Sequence, residues 1–165
     1  MKINGRCFKY GDDINTDVIF PGKYTYTVSE PSEMAQHAME DLDPSFSERV
    51  SEGDIVVAGS NFGCGSSREQ AVICLREAGI RAVVARSFSR IYYRNCINSG
   101  LVPIQSEAAD VIQDGETIEI DLENGVLLCD KGEFTFPPFA GEVARILSCG
   151  GLIPYTRKLL GIENR

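Results

Sequence analysis

Apolar positions along the chain change period several times, and each change marks an element. KINGRCFKY (2–10) predicts an opening strand that runs into the turn cluster Gly11-Asp12-Asp13. The next stretch, DINTDVIFPGKYTYTVSEP (13–31), has no helical period and is rich in Asp, Thr, Gly and Pro, so it reads as a long loop of the kind that carries function. Ser29 as cap, Glu30-Pro31 behind it, and Met34, Ala35, Ala38, Met39 and Leu42 at helical spacing predict a helix over about 31–41. DIVVAG (54–59) is a short apolar run bounded by Gly53 and Gly59. REQAVICLREAG (68–79) puts Ala71, Val72, Leu75 and Ala78 on one helical face, and RAVVARSF (81–88) repeats the strand signal. Strand, glycine loop, helix and strand in that order make a βαβ unit with a parallel pair. IYYRNCINSG (91–100) predicts a short helix stopping at Gly100, LVPIQ (101–105) a brief strand, and EAADVIQ (107–113) a helical turn or two. TIEIDLENGVLLCD (117–130) holds two alternating runs joined by Asn124-Gly125, a strong hairpin signal, and EFTF (133–136) adds a third antiparallel strand. PPFAGEVARILSCGG (137–151) and LIPYTRKLLG (152–161) close the chain as helices. The fold class is therefore α/β, a single domain over 1–165 with a central parallel or mixed sheet, flanking helices and a C-terminal antiparallel hairpin.

Composition narrows the function. With 165 residues, 43% hydrophobic and 24% charged, the chain is long enough for a real core and has neither a disordered nor a membrane composition. The start, MKINGRCFKYGDD, has no apolar leader core, and no run approaches the roughly 18 apolar residues of a spanning helix, so a cytoplasmic, membrane-free protein is expected. A net charge of -8 has the wrong sign for nucleic-acid binding. The usual catalytic inventory is poor. His37 is the single histidine, and it falls on a predicted helix beside Gln36, near Glu40 and Asp41, as a surface residue with no catalytic role. The cysteines at 7, 64, 74, 96, 129 and 149 form no C-x-x-C pair, so free thiols and no metal held by this chain are expected.

The chemistry concentrates in Gly59-Ser60-Asn61-Phe62-Gly63-Cys64-Gly65-Ser66-Ser67-Arg68-Glu69, between a strand and a helix. Its glycines permit a tight turn, while Ser66, Ser67 and Arg68 stand at the predicted helix entrance, where free N–H groups and a forked guanidinium suit a carboxylate or phosphate. Capping serines at a glycine-rich helix entrance are also compatible with a purely structural role. The dinucleotide fingerprint fails because Arg68 stands where its third glycine belongs, Walker A lacks its lysine, and no G-x-S-x-G elbow is present. Asp12, Asp13, Asn15, Thr16 and Asp17 lack the spacing of an EF-hand calcium loop. Cys64 is either an activated nucleophile or a small residue tolerated in a tight turn. Ile91-Tyr92-Tyr93 reads as core rather than as a binding platform.

Three strings taken together, DINTDVIFPG (13–22), NFGCGSSREQA (61–71) and SFSRIYYRNCINSGL (87–101), closely resemble the small-subunit family of the 3-isopropylmalate dehydratases, the detached swivel domain of the aconitase superfamily. The resemblance runs in order over almost the whole chain. It implies a swivelling β/β/α domain that is one half of a hydro-lyase, removing water from a hydroxy di- or tricarboxylic acid and adding it back with the opposite regiochemistry. It also implies a [4Fe-4S] cluster held by three cysteines of a large subunit, with none bound by this chain, in a heterodimer or heterotetramer. On the matching positions, Ser66 is implied as the alkoxide that takes the carbon-bound proton. Ser67 and Arg68 are implied to hold substrate carboxylates, with Arg68 and helix-end N–H groups stabilising the alkoxide, and Asp17 to support a large-subunit histidine that acts as acid. In archaeal relatives the tetrapeptide after Pro-Gly-x discriminates substrates, and homoaconitase-like members carry Arg at its third position for a distal carboxylate. Here it is Tyr24-Thr25-Tyr26-Thr27. Tyr26 in place of Arg favours a small or apolar side group, as in 2-isopropylmalate. The string is not the aliphatic one of isopropylmalate members either, so 2,3-dimethylmalate, citramalate and homocitrate stay open as substrates. A different class, a stand-alone anion- or RNA-binding module, is opposed by the charge of -8.

Overall fold

The computed structural model describes residues 1–162. Seven strands form one sheet: β1 (Lys2–Lys9), β2 (Ile55–Ala58), β3 (Ala82–Ala85), β4 (Val102–Gln105), β5 (Thr117–Asp121), β6 (Val126–Cys129) and β7 (Gly132–Thr135), in the order β4-β3-β2-β1-β5-β6-β7. β1 divides it. On one side β1, β2, β3 and β4 run parallel, and on the other β5 to β7 continue as an antiparallel meander, so the expected mixed α/β sheet is present.

The inner parallel strands β2 (IVVA) and β3 (AVVA) are short and wholly apolar because both faces are covered. Ile55↔Ala82 and Val57↔Val84 pair in register and send Ile55, Val57, Ala82 and Val84 to one face, where they pack with Ile104, with Ala108 and Ala109 of α6 (Ala108–Val111), and with Leu147 of α7 (Gly141–Ser148). Their neighbours Val56, Ala58, Val83 and Ala85 face the other way. They meet α1 (Thr16–Ile19), α2 (Pro31–Gln36), α3 (Phe46–Arg49), α4 (Gln70–Glu77) and α5 (Arg90–Ser99). The last helix, α8 (Leu152–Leu159), lies against α5 and α7. Among the described residues no helix is long and apolar enough to cross a membrane.

Several boundaries differ from the periodic reading. The long loop after β1 contains α1, one turn capped by the Asn15 side chain on the Val18 amide at 3.0 Å, followed by a 3-10 turn over Gly22–Tyr24. α2 begins after Glu30 rather than on a Ser29 cap and stops at Gln36. Met39 takes a φ of 60° and sends its amide to the Ile19 carbonyl at 2.8 Å, so Ala38 and Met39 are buried by turns instead of by helix. α3 carried no sequence signal. In the hairpin Asp121 pairs with Val126, which makes a four-residue loop in which the Asp121 carboxylate accepts from the Glu123 and Asn124 amides, not a two-residue Asn-Gly turn. α4 starts at Gln70, so Ser66, Ser67 and Arg68 precede the helix.

The loops that leave the carboxyl ends of β1, β2 and β3 interlock. The loop after β2 lies between the other two: Asp13 N donates to Ser60 O (2.9 Å), Gly63 N to Ile14 O (2.7 Å) and Thr16 N to Cys64 O (2.8 Å), while Phe62 N donates to Ser87 O (3.0 Å) and Ser89 N to Phe62 O (2.9 Å). This is the end of a parallel sheet where α/β proteins bind ligands.

Candidate active site

The turn after β2 depends on two glycines. Gly63 has a φ of 77°, and a Cβ there would lie 2.1 Å from the buried Tyr92 ring. Gly65 has a φ of 104°, and a Cβ there would meet the Thr16 hydroxyl at 3.1 Å. No other residue type fits both the dihedrals and the space. Asn61, with a φ of 60°, anchors the approach by donating from its side chain to Asp13 (2.9 Å) and from its amide to Ser87 Oγ (2.8 Å). The turn delivers Ser66 and Ser67 to the surface and then Arg68 back toward the protein.

Arg68 is the hub. Its Nε donates to Ser66 Oγ at 3.0 Å, Nη1 to Thr25 Oγ1 at 2.5 Å, and Nη2 to both the Asp17 carboxylate and the Phe20 carbonyl, the latter at 3.2 Å. The guanidinium side chain is only 15% exposed, whereas Asp17 is 70% exposed. A cation held this firmly beside a hydroxyl favours the ionised oxygen. Ser66 is further fixed by Thr16: its amide donates to Thr16 Oγ1 at 3.1 Å, and the two hydroxyls stand 3.3 Å apart. Because α4 begins beyond Arg68, the groups at Ser66 Oγ are these two side chains, where helix-end N–H groups were expected.

The tetrapeptide divides. Thr25 faces Arg68, and its carbonyl accepts from Gln70 Nε2 at 3.0 Å. Tyr24 turns away from Arg68 and stacks on His37 with ring centroids 3.8 Å apart, while its hydroxyl donates to Glu40 at 3.0 Å. Glu40 also lies 2.7 Å from His37 Nδ1 and accepts from Lys23 at 2.9 Å. These hydrogen bonds, His37 first and then Lys23, hold its carboxyl down to about 2. The single histidine is therefore a half-buried buttress of this loop, 22% exposed, and not a surface residue. Tyr26 is 97% exposed, Thr27 is exposed as well, and Ser67 points to solvent with its carbonyl near Asn95 Nδ2 at 3.4 Å.

The structure thus brings Ser66, Arg68, Asp17 and Thr25 together, leaves Ser67, Tyr26 and Thr27 at the open rim, and engages Tyr24 elsewhere. Sequence reasoning missed Thr16, His37 and Gln70 as parts of the site. The one local clue was Thr16 next to a better capping residue, Asn15. The acidic cluster upstream is used for loop bonding, since Asp12 accepts from the Ser60 amide at 2.7 Å and Asp13 from Asn61. Among the described residues no group of three or more His, Cys, Asp and Glu is placed to hold a metal ion. All six cysteines are free. Burial pushes the Cys7 thiol up to about 12 and raises Cys74 and Cys96 as well, which makes those three poor nucleophiles.

The site has no roof, because its reactive rim is open to solvent. Cavities lie elsewhere too: one of about 480 Å³ opens beside Asn4, Gly53, Arg81 and Val102 near the opposite, amino ends of the parallel strands, and one of about 340 Å³ lies beside Tyr93, Ile104 and Phe136.

Comparison with known proteins shows the family. Residues 12–109, which include every residue of the site, match the family model described as the aconitase C-terminal domain. A 3-isopropylmalate dehydratase small subunit from Caldanaerobacter subterraneus subsp. tengcongensis is 48% identical over 159 residues, covering 94% of this chain and 98% of the relative. The methanogen homoaconitase small subunit of Methanocaldococcus jannaschii is 47% identical over 167 residues, 100% of this chain and 97% of its own. A crystal structure described as 3-isopropylmalate dehydratase from Methanocaldococcus jannaschii superposes with a TM-score of 0.92 at 46% identity, covering 98% of this chain and 97% of that one. The chain belongs to the aconitase family, in its branch of 3-isopropylmalate dehydratase small subunits.

Proposed function

We propose that the chain is the small subunit of a 3-isopropylmalate dehydratase and supplies the base and carboxylate-binding groups for the reversible conversion of 2-isopropylmalate to 3-isopropylmalate. One observation carries the reading: a single guanidinium joins Ser66 Oγ, Asp17 and Thr25 at the carboxyl end of the parallel strands. Ser66 Oγ, ionised, takes a proton from the carbon next to a carboxylate while water leaves the adjacent carbon, and gives the proton back on rehydration. A serine hydroxyl is far too weak an acid to do this alone, and the Nε–H of Arg68 offsets the charge that develops on it. Ser67, at the rim, and the Nη2 edge of Arg68 receive a substrate carboxylate. Asp17 occupies that edge here, and turning toward a histidine of the large subunit releases it for substrate.

The [4Fe-4S] cluster that the family implies is assigned in this reading to the large subunit, with the proton-donating histidine. The chemistry of this chain's thiols supports that division, since burial holds Cys7, Cys74 and Cys96 away from the open rim and raises their thiols. The open rim supports the same division, since a base must be shielded from water by a second surface. The 1–165 chain acts as one swivelling domain against that partner, in a heterodimer or heterotetramer.

Tyr26 is the tetrapeptide side chain fully available to a substrate side group, and it carries no charge, which favours an isopropyl over a carboxylate group. The match to a homoaconitase small subunit over the whole chain favours a second reading, a tricarboxylate such as homocitrate. Reconstitution with a cluster-loaded large subunit and assay of 2-isopropylmalate, 2,3-dimethylmalate, citramalate and homocitrate decides between them. Highest kcat/KM on 2-isopropylmalate is expected, and highest kcat/KM on homocitrate contradicts the substrate assignment.

A further inference from the structure

We propose that Thr16 is a positioning residue for the reaction, its buried hydroxyl providing the second hydrogen bond that steadies Ser66 Oγ in its ionised form. The inference rests on the reading of Ser66 as base. Thr16 is the first residue of α1, one position past the N-cap, and the capping bond to the Val18 amide is made by Asn15. The Thr16 hydroxyl is left for another purpose. The residue is 1% exposed, and a buried hydroxyl needs partners. Both of its partners are on Ser66, the amide at 3.1 Å and the hydroxyl at 3.3 Å.

The surroundings are shaped for this contact. Thr16 N donates to the Cys64 carbonyl at 2.8 Å while its side chain receives the Ser66 amide, so one residue brackets the turn on both sides of Gly65. Gly65 lacks a side chain where a Cβ would lie 3.1 Å from the Thr16 hydroxyl. Proton counting then fixes the roles. Thr16 Oγ1 accepts from the Ser66 amide and has one proton to give. Neutral Ser66 accepts from Arg68 Nε and keeps its own proton for either Thr16 or substrate. Once Ser66 is an alkoxide it can only accept, and the Thr16 proton completes a second, charge-assisted bond beside that from Arg68. The contact is strongest when Ser66 has given its own proton to solvent, so it raises the fraction of enzyme that carries the ionised base and with it kcat, rather than substrate binding.

The test uses the assembled enzyme with Thr16→Val, Thr16→Ala and Thr16→Ser, beside Ser66→Ala. Removing the hydroxyl in Thr16→Val is expected to lower kcat by about 10- to 100-fold, somewhat less than loss of a principal oxyanion donor, with KM changed by less than about threefold. The rising limb of the kcat–pH profile moves to higher pH, and Thr16→Ser restores both. Thr16→Ala reads the same loss if the valine variant does not assemble with the large subunit. A wild-type kcat and pH profile in the hydroxyl-free variants overturns the proposal, as does a Thr16→Ser variant no better than Thr16→Ala. If Ser66→Ala itself keeps full activity, the underlying assignment of the base fails. If Ser66→Ala is inactive and the Thr16 variants are not, only the role of Thr16 fails.

Discussion

Two regions of the site are built differently. The cradle around Ser66 is fixed by main chain: loops interlock through amide–carbonyl bonds, and Gly63 and Gly65 take dihedrals and spaces that other residues cannot. The tetrapeptide 24–27 closes only local turns with its own main chain, Tyr24 N to Pro21 O, Thr25 N to Gly22 O and Thr27 N to Tyr24 O, and reaches the rest of the protein mainly through side chains, with Tyr24 held by His37 and Glu40, Thr25 on Arg68, and Tyr26 in solvent. A rigid main-chain frame suits atoms that must be placed to a fraction of an ångström for proton transfer. A loop held by exchangeable side chains suits a surface that differs between substrates. Changes in the cradle should therefore remove turnover, and changes in the tetrapeptide or its clamp should redirect or weaken substrate binding while chemistry survives.

Arg68→Lys should break the cradle most severely of the substitutions that leave Ser66 in place. An ammonium cannot hold Ser66, Thr25 and Asp17 in one plane, and kcat/KM measured on the reconstituted enzyme should fall by about 100-fold or more. A loss below threefold would mean that charge alone suffices. Tyr26→Arg should act on the other region. The preference ratio of homocitrate over 2-isopropylmalate, taken from the two kcat/KM values, should rise by about tenfold or more, because a fixed cation there pairs with a distal carboxylate. An unmoved ratio would detach the tetrapeptide from specificity. Glu40→Gln should loosen the clamp, raising KM by a few fold at nearly constant kcat. A fall in kcat with unchanged KM would place the clamp with the cradle instead.

The same carboxylate gives the smallest and most specific effect. Its folded-state value lies near 2 against an ordinary 4.5, so its contribution to stability is complete above about 4.5 and is lost as pH falls toward 2. Acid unfolding followed by circular dichroism should show a weaker dependence on pH through that window in Glu40→Gln than in the wild type. Identical curves would show that the clamp adds nothing to the fold.

The two regions also differ in how legible they are from sequence. The β2–α4–β3 unit and the Gly100 helix stop, with its φ of 79°, follow from local period and glycine placement. Ser66, Ser67 and Arg68 stand out for the same reason. Thr16 does not, because its partner lies fifty residues away and nothing local distinguishes a buried hydroxyl from a solvated one. His37 was read from its helical neighbours, but α2 ends before it and the ring packs on Tyr24, a contact set by tertiary burial of Ala38 and Met39 rather than by helical period. α1 and α3, four residues each, are too short to show any period.

The measurement that bears most directly on the central claim is the turnover of Ser66→Ala in the assembled enzyme, beside the wild type on 2-isopropylmalate. Loss of the base predicts that kcat falls by about 1,000-fold or more while the variant still folds and binds the large subunit. A Ser66→Ala enzyme that turns over at the wild-type rate would contradict the assignment of the base to this chain.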